Sequence, residues 1–288
     1  MITAIWVILL ILGLWIAFLL IKDYIKYKNN LEANSWFKTG AIGFVGNFFD
    51  TLGIGSFSLE TAMFKFFKQS DDKLIPGTLN VANAIPTIAQ AVIFIQIVKV
   101  EPLTLVLMIA ASGAGALLGA GVVAKLPENG IRLTMGIGLF VAACFMVSTN
   151  MNWIQGGGEA LGLEGKTLAF AVGVNFVLGA LMTAGIGLYA PCMALVFALG
   201  MSPQVAFPIM MGSCAFLMPV ASLKFIKEGA YNKRASFIIS ITGTVAVLIA
   251  AYVVKSLPME VLRWVVIVVI LYTSVVMLRA AVKKKSVS

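Results

Sequence analysis

The sequence predicts an all-α polytopic membrane protein built as an inverted-topology repeat. Each half is one broken, re-entrant helical segment plus three transmembrane helices, and one extra helix stands at the N-terminus. Three observations predict this. Of 288 residues, 60% are hydrophobic and 11% charged, with a mean hydropathy of +1.01, a balance foreign to soluble domains. A Gly-x-Gly motif in apolar sequence occurs twice: Thr51, Gly53, Ile54 and Gly55 return as Thr183, Gly185, Ile186 and Gly187, 132 residues on. The basic residues gather in short segments between apolar runs, as they do in cytoplasmic loops.

Residues 2–21 are an apolar run long enough to span, followed by Lys22, Lys26 and Lys28. With no positive n-region before them and no small-residue cleavage site after them, they predict a retained anchor. The lysines place its C-terminal end inside and the N-terminus outside. Residues 1–39 are thus an N-terminal transmembrane helix and a cytoplasmic linker. Repeat 1, residues 40–148, opens with the broken segment 40–67 and continues with spans at about 74–98, 103–124 and 131–148. An external loop, 149–167, is Gly-rich at Gly156, Gly157 and Gly158 and acidic at Glu159 and Glu164. Repeat 2 with a cytoplasmic tail, 168–288, has the broken segment 168–200, spans at about 204–226, 235–254 and 263–281, and then Lys283, Lys284 and Lys285.

Positive charge selects the topology. If both broken segments crossed the membrane, Lys65, Lys68, Lys73, Lys125 and Arg132 would lie outside. If each is a hairpin returning to the face it left, those five move inside, and of all 21 basic residues only Lys99, Lys166, Lys255 and Arg263 remain outside. The hairpin topology, with seven crossings and the C-terminus inside, obeys the positive-inside tendency better. The repeat also extends past the glycines: Pro76 pairs with Pro208, Ser256-Leu-Pro258 echoes Lys125-Leu-Pro127, and Arg132 pairs with Arg263. Three spans per half is an odd number, so the second copy enters upside down, as in many secondary transporters.

A helix that restarts after a glycine, at Ser56 or Leu188, presents unpaired N–H groups backed by its dipole, an anion site that needs no buried cation. Hydroxyls that can donate to substrate oxygens cluster nearby: Thr51, Ser56, Ser58, Thr61, Thr183 and Tyr189. The substrate-binding candidates are therefore Thr51, Gly53, Gly55, Ser56, Asn80, Thr183, Gly185, Gly187 and Tyr189. The competing reading of the glycines is helix packing, and of Asn80 and Asn83 an interhelical hydrogen bond. Asp50 is the proton-coupling candidate; alternatively it caps nearby backbone N–H groups. Glu60 reads as structural or solvated, towards the cytoplasmic side. Gly113, Gly115 and Gly119 do not match a dinucleotide loop and read as close helix packing.

The absence of histidine removes the usual metal ligand and neutral-pH proton carrier. Cys144, Cys192 and Cys214 are odd in number and sit in apolar runs, which predicts buried free thiols. Five tryptophans fall mostly near span ends, and fourteen methionines read as lipid-facing or core filler. No cofactor or metal is implied, and the basic charge belongs to membrane loops rather than to nucleic-acid binding. A membrane-embedded enzyme is the reading from another class, with Cys192 and Tyr189 as its best candidates. It lacks paired carboxylates and any nucleophile with a visible partner, so the chain reads as no enzyme.

With Gly43-Phe44-Val45-Gly46 leading to Gly53-Ile54-Gly55, and Gly179 leading to Gly185-Ile186-Gly187 and Pro191, residues 40–281 resemble the sulfite exporter TauE/SafE family of bacterial and archaeal permeases. The resemblance implies secondary transport of a small sulfur oxyanion, sulfite or an organosulfonate, across the cytoplasmic membrane. A passive anion channel is the alternative within transport. Whether the chain acts alone or as a homo-oligomer is left open.

Overall fold

In the computed structural model, which describes residues 2–151, 153, 158–253 and 259–283, eleven α-helices carry the chain among the described residues. They are α1 (Ile2–Lys26), α2 (Trp36–Thr51), α3 (Ser56–Phe67), α4 (Ile75–Ile97), α5 (Pro102–Val123), α6 (Glu128–Asn150), α7 (Gly165–Met182), α8 (Tyr189–Ala198), α9 (Ala206–Glu228), α10 (Lys233–Val253) and α11 (Met259–Lys283). After α1 the second half repeats the first element by element. Even the short 3-10 turn before α4, Asp72–Leu74, has a partner before α9, Pro203–Val205. The repeat positions at Lys255, Ser256 and Pro258, the glycines Gly156 and Gly157, and the tail lysines Lys284 and Lys285 lie outside the described residues.

Each broken segment is a hairpin. Ser35 caps α2 by accepting the Lys38 N–H and gives its own N–H to Gln69 Oε1, just past α3, at 2.7 Å. The two ends of the segment therefore lie side by side. In the second half Gly158 N–H donates to Met201 O at 3.1 Å and Ser202 N–H to Ala160 O at 2.9 Å, joining the approach to α7 with the exit from α8. Seven helices among the described residues are long and apolar enough to cross a membrane: α1, α4 with its preceding turn, α5, α6, α7, α9 and α10. This set contains α7, which is long enough alone yet is tied by its neighbours into a hairpin arm. It lacks α11, whose described apolar stretch, Ile270–Val282, is shorter.

The connections sort into two ends of the bundle. At one end Thr78 Oγ1 accepts the Asn232 N–H at 2.9 Å, Tyr231 Oη donates to Asp23 at 2.5 Å, and Lys233 meets Glu32. Asp72 there takes both Lys65 and Arg132, binding α3 and α6 to the turn before α4. At the other end Glu101 N–H donates to Leu161 O at 2.8 Å and Leu163 N–H to Thr104 Oγ1 at 2.9 Å. The mouth of the first hairpin opens at the former end and the mouth of the second at the latter. At that second end Glu101 caps α5, and the N–H groups of Thr104 and Leu103 hold its carboxyl below the usual range.

The halves interlock. Hairpin arm α2 packs on α10 of the other half and α7 packs on α5, while α4 meets α9 and α6 meets α11. Helices α4 and α9 form the centre, with 72% of each apolar window buried against 22% for α1 at the edge. Without a hydrophobic force between helices in lipid, close backbone approach does the holding. Gly115 faces the Phe176 backbone, Gly179 the Ser112 backbone and Gly119 the Ala180 backbone, so the packing expected at Gly115 and Gly119 is what joins α5 to α7. Pro86 removes a donor from the middle of α4 and frees the Ala82 carbonyl one turn earlier. Ser240 of α10 donates to that carbonyl at 2.8 Å, which lets a proline stand there. Cys192 and Cys214 are buried as expected, but Cys144 is exposed because α6 turns it away from its neighbours.

Candidate functional site

The two hairpin turns meet inside the bundle. In the first, α2 ends at Thr51, and Gly53 (φ +82°) and Gly55 (φ +94°) take the left-handed backbone needed to reverse the chain before α3 starts at Ser56. In the second, Gly185 (φ +88°) does this after α7, whereas Gly187 is not left-handed, so the two turns are related without being identical. Gly55 faces the Tyr189 Cβ, and Gly187 faces Phe57 and Ser58. Between them lies a cavity of about 20 Å³ lined by Ile54, Gly55, Phe57 and Ser58 from the first turn, Gly187 and Tyr189 from the second, and Met146 of α6. It has room for one water-sized guest and too little for a sulfur carrying three oxygens.

Polar side chains stand beside this cavity. Tyr189 Oη donates to Gln90 Oε1 at 2.8 Å, and Gln90 Nε2 donates to Thr51 Oγ1 at 3.1 Å, so one residue of α4 ties the two turns together. Thr51 in turn donates to Asn47 O at 2.8 Å. Asp50 is 2% exposed, and its Oδ1 accepts the Ser56 N–H, which satisfies an orphan donor at the start of α3. The capping geometry expected as one alternative for Asp50 is therefore present. Asp50 Oδ2 and the Ser56 hydroxyl are buried with no hydrogen-bond partner among the described residues. An anionic carboxylate at the first helix start opposes a second anion there, while the matching start of α8 carries no acid.

Behind the first turn, hairpin folding stacks α3 on α2 and buries Glu60 completely. Its Oε1 accepts Asn47 Nδ2 at 3.1 Å and its Oε2 accepts Asn83 Nδ2 at 2.8 Å. Of the two readings of Glu60, structural or solvated, burial removes the solvated one: the fold-back sets it against Gly46, where only a glycine leaves it space.

Not every predicted residue reaches the cavity. Gly55, Gly187 and Tyr189 line it, and Thr51, Gly53, Ser56 and Asp50 stand in or beside the first turn. Gly53 packs on the Phe207 ring and Gly185 on Met135. Asn80 donates back to Pro76 O in its own helix and its Oδ1 has no partner. Thr183, which caps the end of α7, donates to Ala180 O of that helix and sits against Gly119 of α5. Sequence reasoning missed Gln90 and Asn47 altogether and read Asn83 only as a contact or a helix pin. A lone glutamine in the middle of an apolar span was the signal available for Gln90.

The family model described as "Sulfite exporter TauE/SafE" matches residues 2–146 and 167–287, thus both halves and both hairpins. No curated protein and no solved structure matches the chain. With a helical, multi-pass architecture and a match over nearly its whole length, the chain belongs to the sulfite exporter TauE/SafE family of membrane transporters.

Proposed function

We propose that this protein is a secondary transporter that carries a small sulfur oxyanion, sulfite or an organosulfonate, across the cytoplasmic membrane of a prokaryote by alternating access. The observation that carries the reading is the cavity between the two hairpin turns, to which both halves contribute. The start of α8 and the Ser58 hydroxyl supply donors for anion oxygens there, while the Tyr189 hydroxyl is spent on Gln90 and its ring walls the cavity. The cavity is too small for the anion, so this is a closed state and passage requires the turns to part. We read the halves as inverted copies, because the hairpin mouths lie at opposite ends; parting of one hairpin then opens the site to one face, and parting of the other to the opposite face. The end that holds Lys65, Lys73, Arg132, Lys233 and Arg234 faces the cytoplasm, with the N-terminus outside and the C-terminus inside.

The test is sulfite and organosulfonate counterflow in proteoliposomes, with Gly187→Ala beside Gly187→Leu. A Cβ at Gly187 meets its nearest neighbours at ordinary contact distance, 3.9 Å and more, so the alanine variant keeps its fold and most of its flux. The leucine fills the cavity and is expected to lower counterflow at least tenfold without loss of inserted protein. Undiminished counterflow in the leucine variant rules the site out. Flux that follows the anion gradient with no exchange requirement makes the protein a channel.

A further inference from the structure

Glu60 is fully buried, and its hydrogen-bond partners among the described residues, Asn47 and Asn83, are both neutral. Four carboxamide hydrogens serve it and its surroundings. The two on Asn47 Nδ2 face three oxygens: Asn83 Oδ1 at 2.7 Å, Gly43 O at 3.0 Å and Glu60 Oε1 at 3.1 Å. The two on Asn83 Nδ2 face Glu60 Oε2 at 2.8 Å and Leu79 O at 3.0 Å. A sixth oxygen, Asn47 Oδ1, is buried with no partner. The cluster is short of hydrogens, and an ionised Glu60 adds an uncompensated charge to that shortage.

No cation among the described side chains answers it. On its own helix Lys65 turns away to Asp72. On α2 the ionisable group acting on Glu60 is Asp50, a second acid. Helix α4 has no ionisable residue, and on α10 Lys233 and Arg234 stand at the first turn, engaged with Glu32 and Asn34. On α11, which packs against α3, Glu260, Arg263, Arg279 and Lys283 are near the helix ends, and Tyr272 between them is exposed.

We propose that Glu60 is a proton-carrying site, loaded in this closed state and unloaded when the first hairpin opens. A proton on Glu60 removes the charge that no neighbour compensates, and the carboxyl oxygen that stays unprotonated keeps its carboxamide donor. On opening, the proton leaves Glu60 for water, and the carboxylate left behind keeps the Asn83 donor. The fold-back of α3 on α2 connects this site directly to the turn that lines the anion cavity. One proton is thereby exchanged per opening of the first hairpin.

This inference rests on the transporter reading, and its test separates the two. Wild type and Glu60→Gln are compared in proteoliposomes for sulfite counterflow and for uptake driven by an imposed pH gradient. The infrared carbonyl band of a protonated carboxyl is recorded on both purified proteins in detergent. The expected result is counterflow within about twofold of wild type in Glu60→Gln, loss of the pH-gradient response, and a protonated-carboxyl band in wild type that the variant lacks. An unchanged pH-gradient response in the variant overturns the proposal, as does wild-type uptake driven by sodium alone. Abolished counterflow in a folded variant also overturns it, by making Glu60 part of the anion path. Absence of counterflow in wild type with the Glu60 band present sinks the transporter reading and leaves the proton site standing; absence of the band sinks the proton site.

Discussion

Tyr189 joins the two halves through a single hydroxyl. Its bond to Gln90 crosses from the second turn to α4, and Gln90 passes the connection to Thr51 of the first. Tyr189→Phe keeps the ring and its packing but leaves Gln90 Oε1 buried without a donor, a loss of about 1–3 kcal/mol. A lowered melting temperature in detergent, together with weakened sulfite protection against heat, is the expected outcome. An unchanged melting temperature in Tyr189→Phe shows that Gln90 finds another donor. At this scale the glycines were legible because they repeat in register within apolar sequence. Glu60 was not legible, because Asn47 is 13 residues before it and Asn83 is 23 after it. Only the fold-back brings all three together, and no spacing in the chain announces that.

Helix packing can be tested at α5, where two glycines behave differently. A Cβ on Gly115 runs into the Phe176 carbonyl of α7, while one on Gly113 meets nothing within 4 Å. Gly115→Ala forces α5 and α7 apart and is expected to destabilise by about 1–3 kcal/mol. Gly113→Ala, two positions away, is expected to be neutral or slightly stabilising, since alanine is the better helix former. Thermal melts of the two variants in one detergent check this, and equal losses contradict the packing described. Hairpin arms were legible as broken segments from the Gly-x-Gly pairs, and charge counting favoured their re-entry. Which neighbour each arm rests on was not legible, because α2 and α7 both contact helices of the opposite half, distant in sequence.

For the whole molecule, the sorting of connections into two ends predicts sidedness. Lys73 and Lys166 are both exposed and belong to opposite ends. In a Cys144→Ser background, which removes the exposed native thiol, Lys166→Cys is expected to react with a membrane-impermeant thiol reagent in intact cells. Lys73→Cys is expected to react only after permeabilisation. Labelling of both from one side contradicts opposite hairpin mouths. The exchange of helices between the halves also bears on how the protein is made. When α2 and α3 leave the ribosome, the helix that will cover α2 has yet to be synthesised, since α10 is almost the last to appear. The first hairpin must wait, its polar groups served by water, by the insertion machinery or by α4 alone. A chain stopped after α6 then has no resting state of its own and is a substrate for quality control rather than half a permease. Two separately translated halves are expected to accumulate only when both are present in the same membrane.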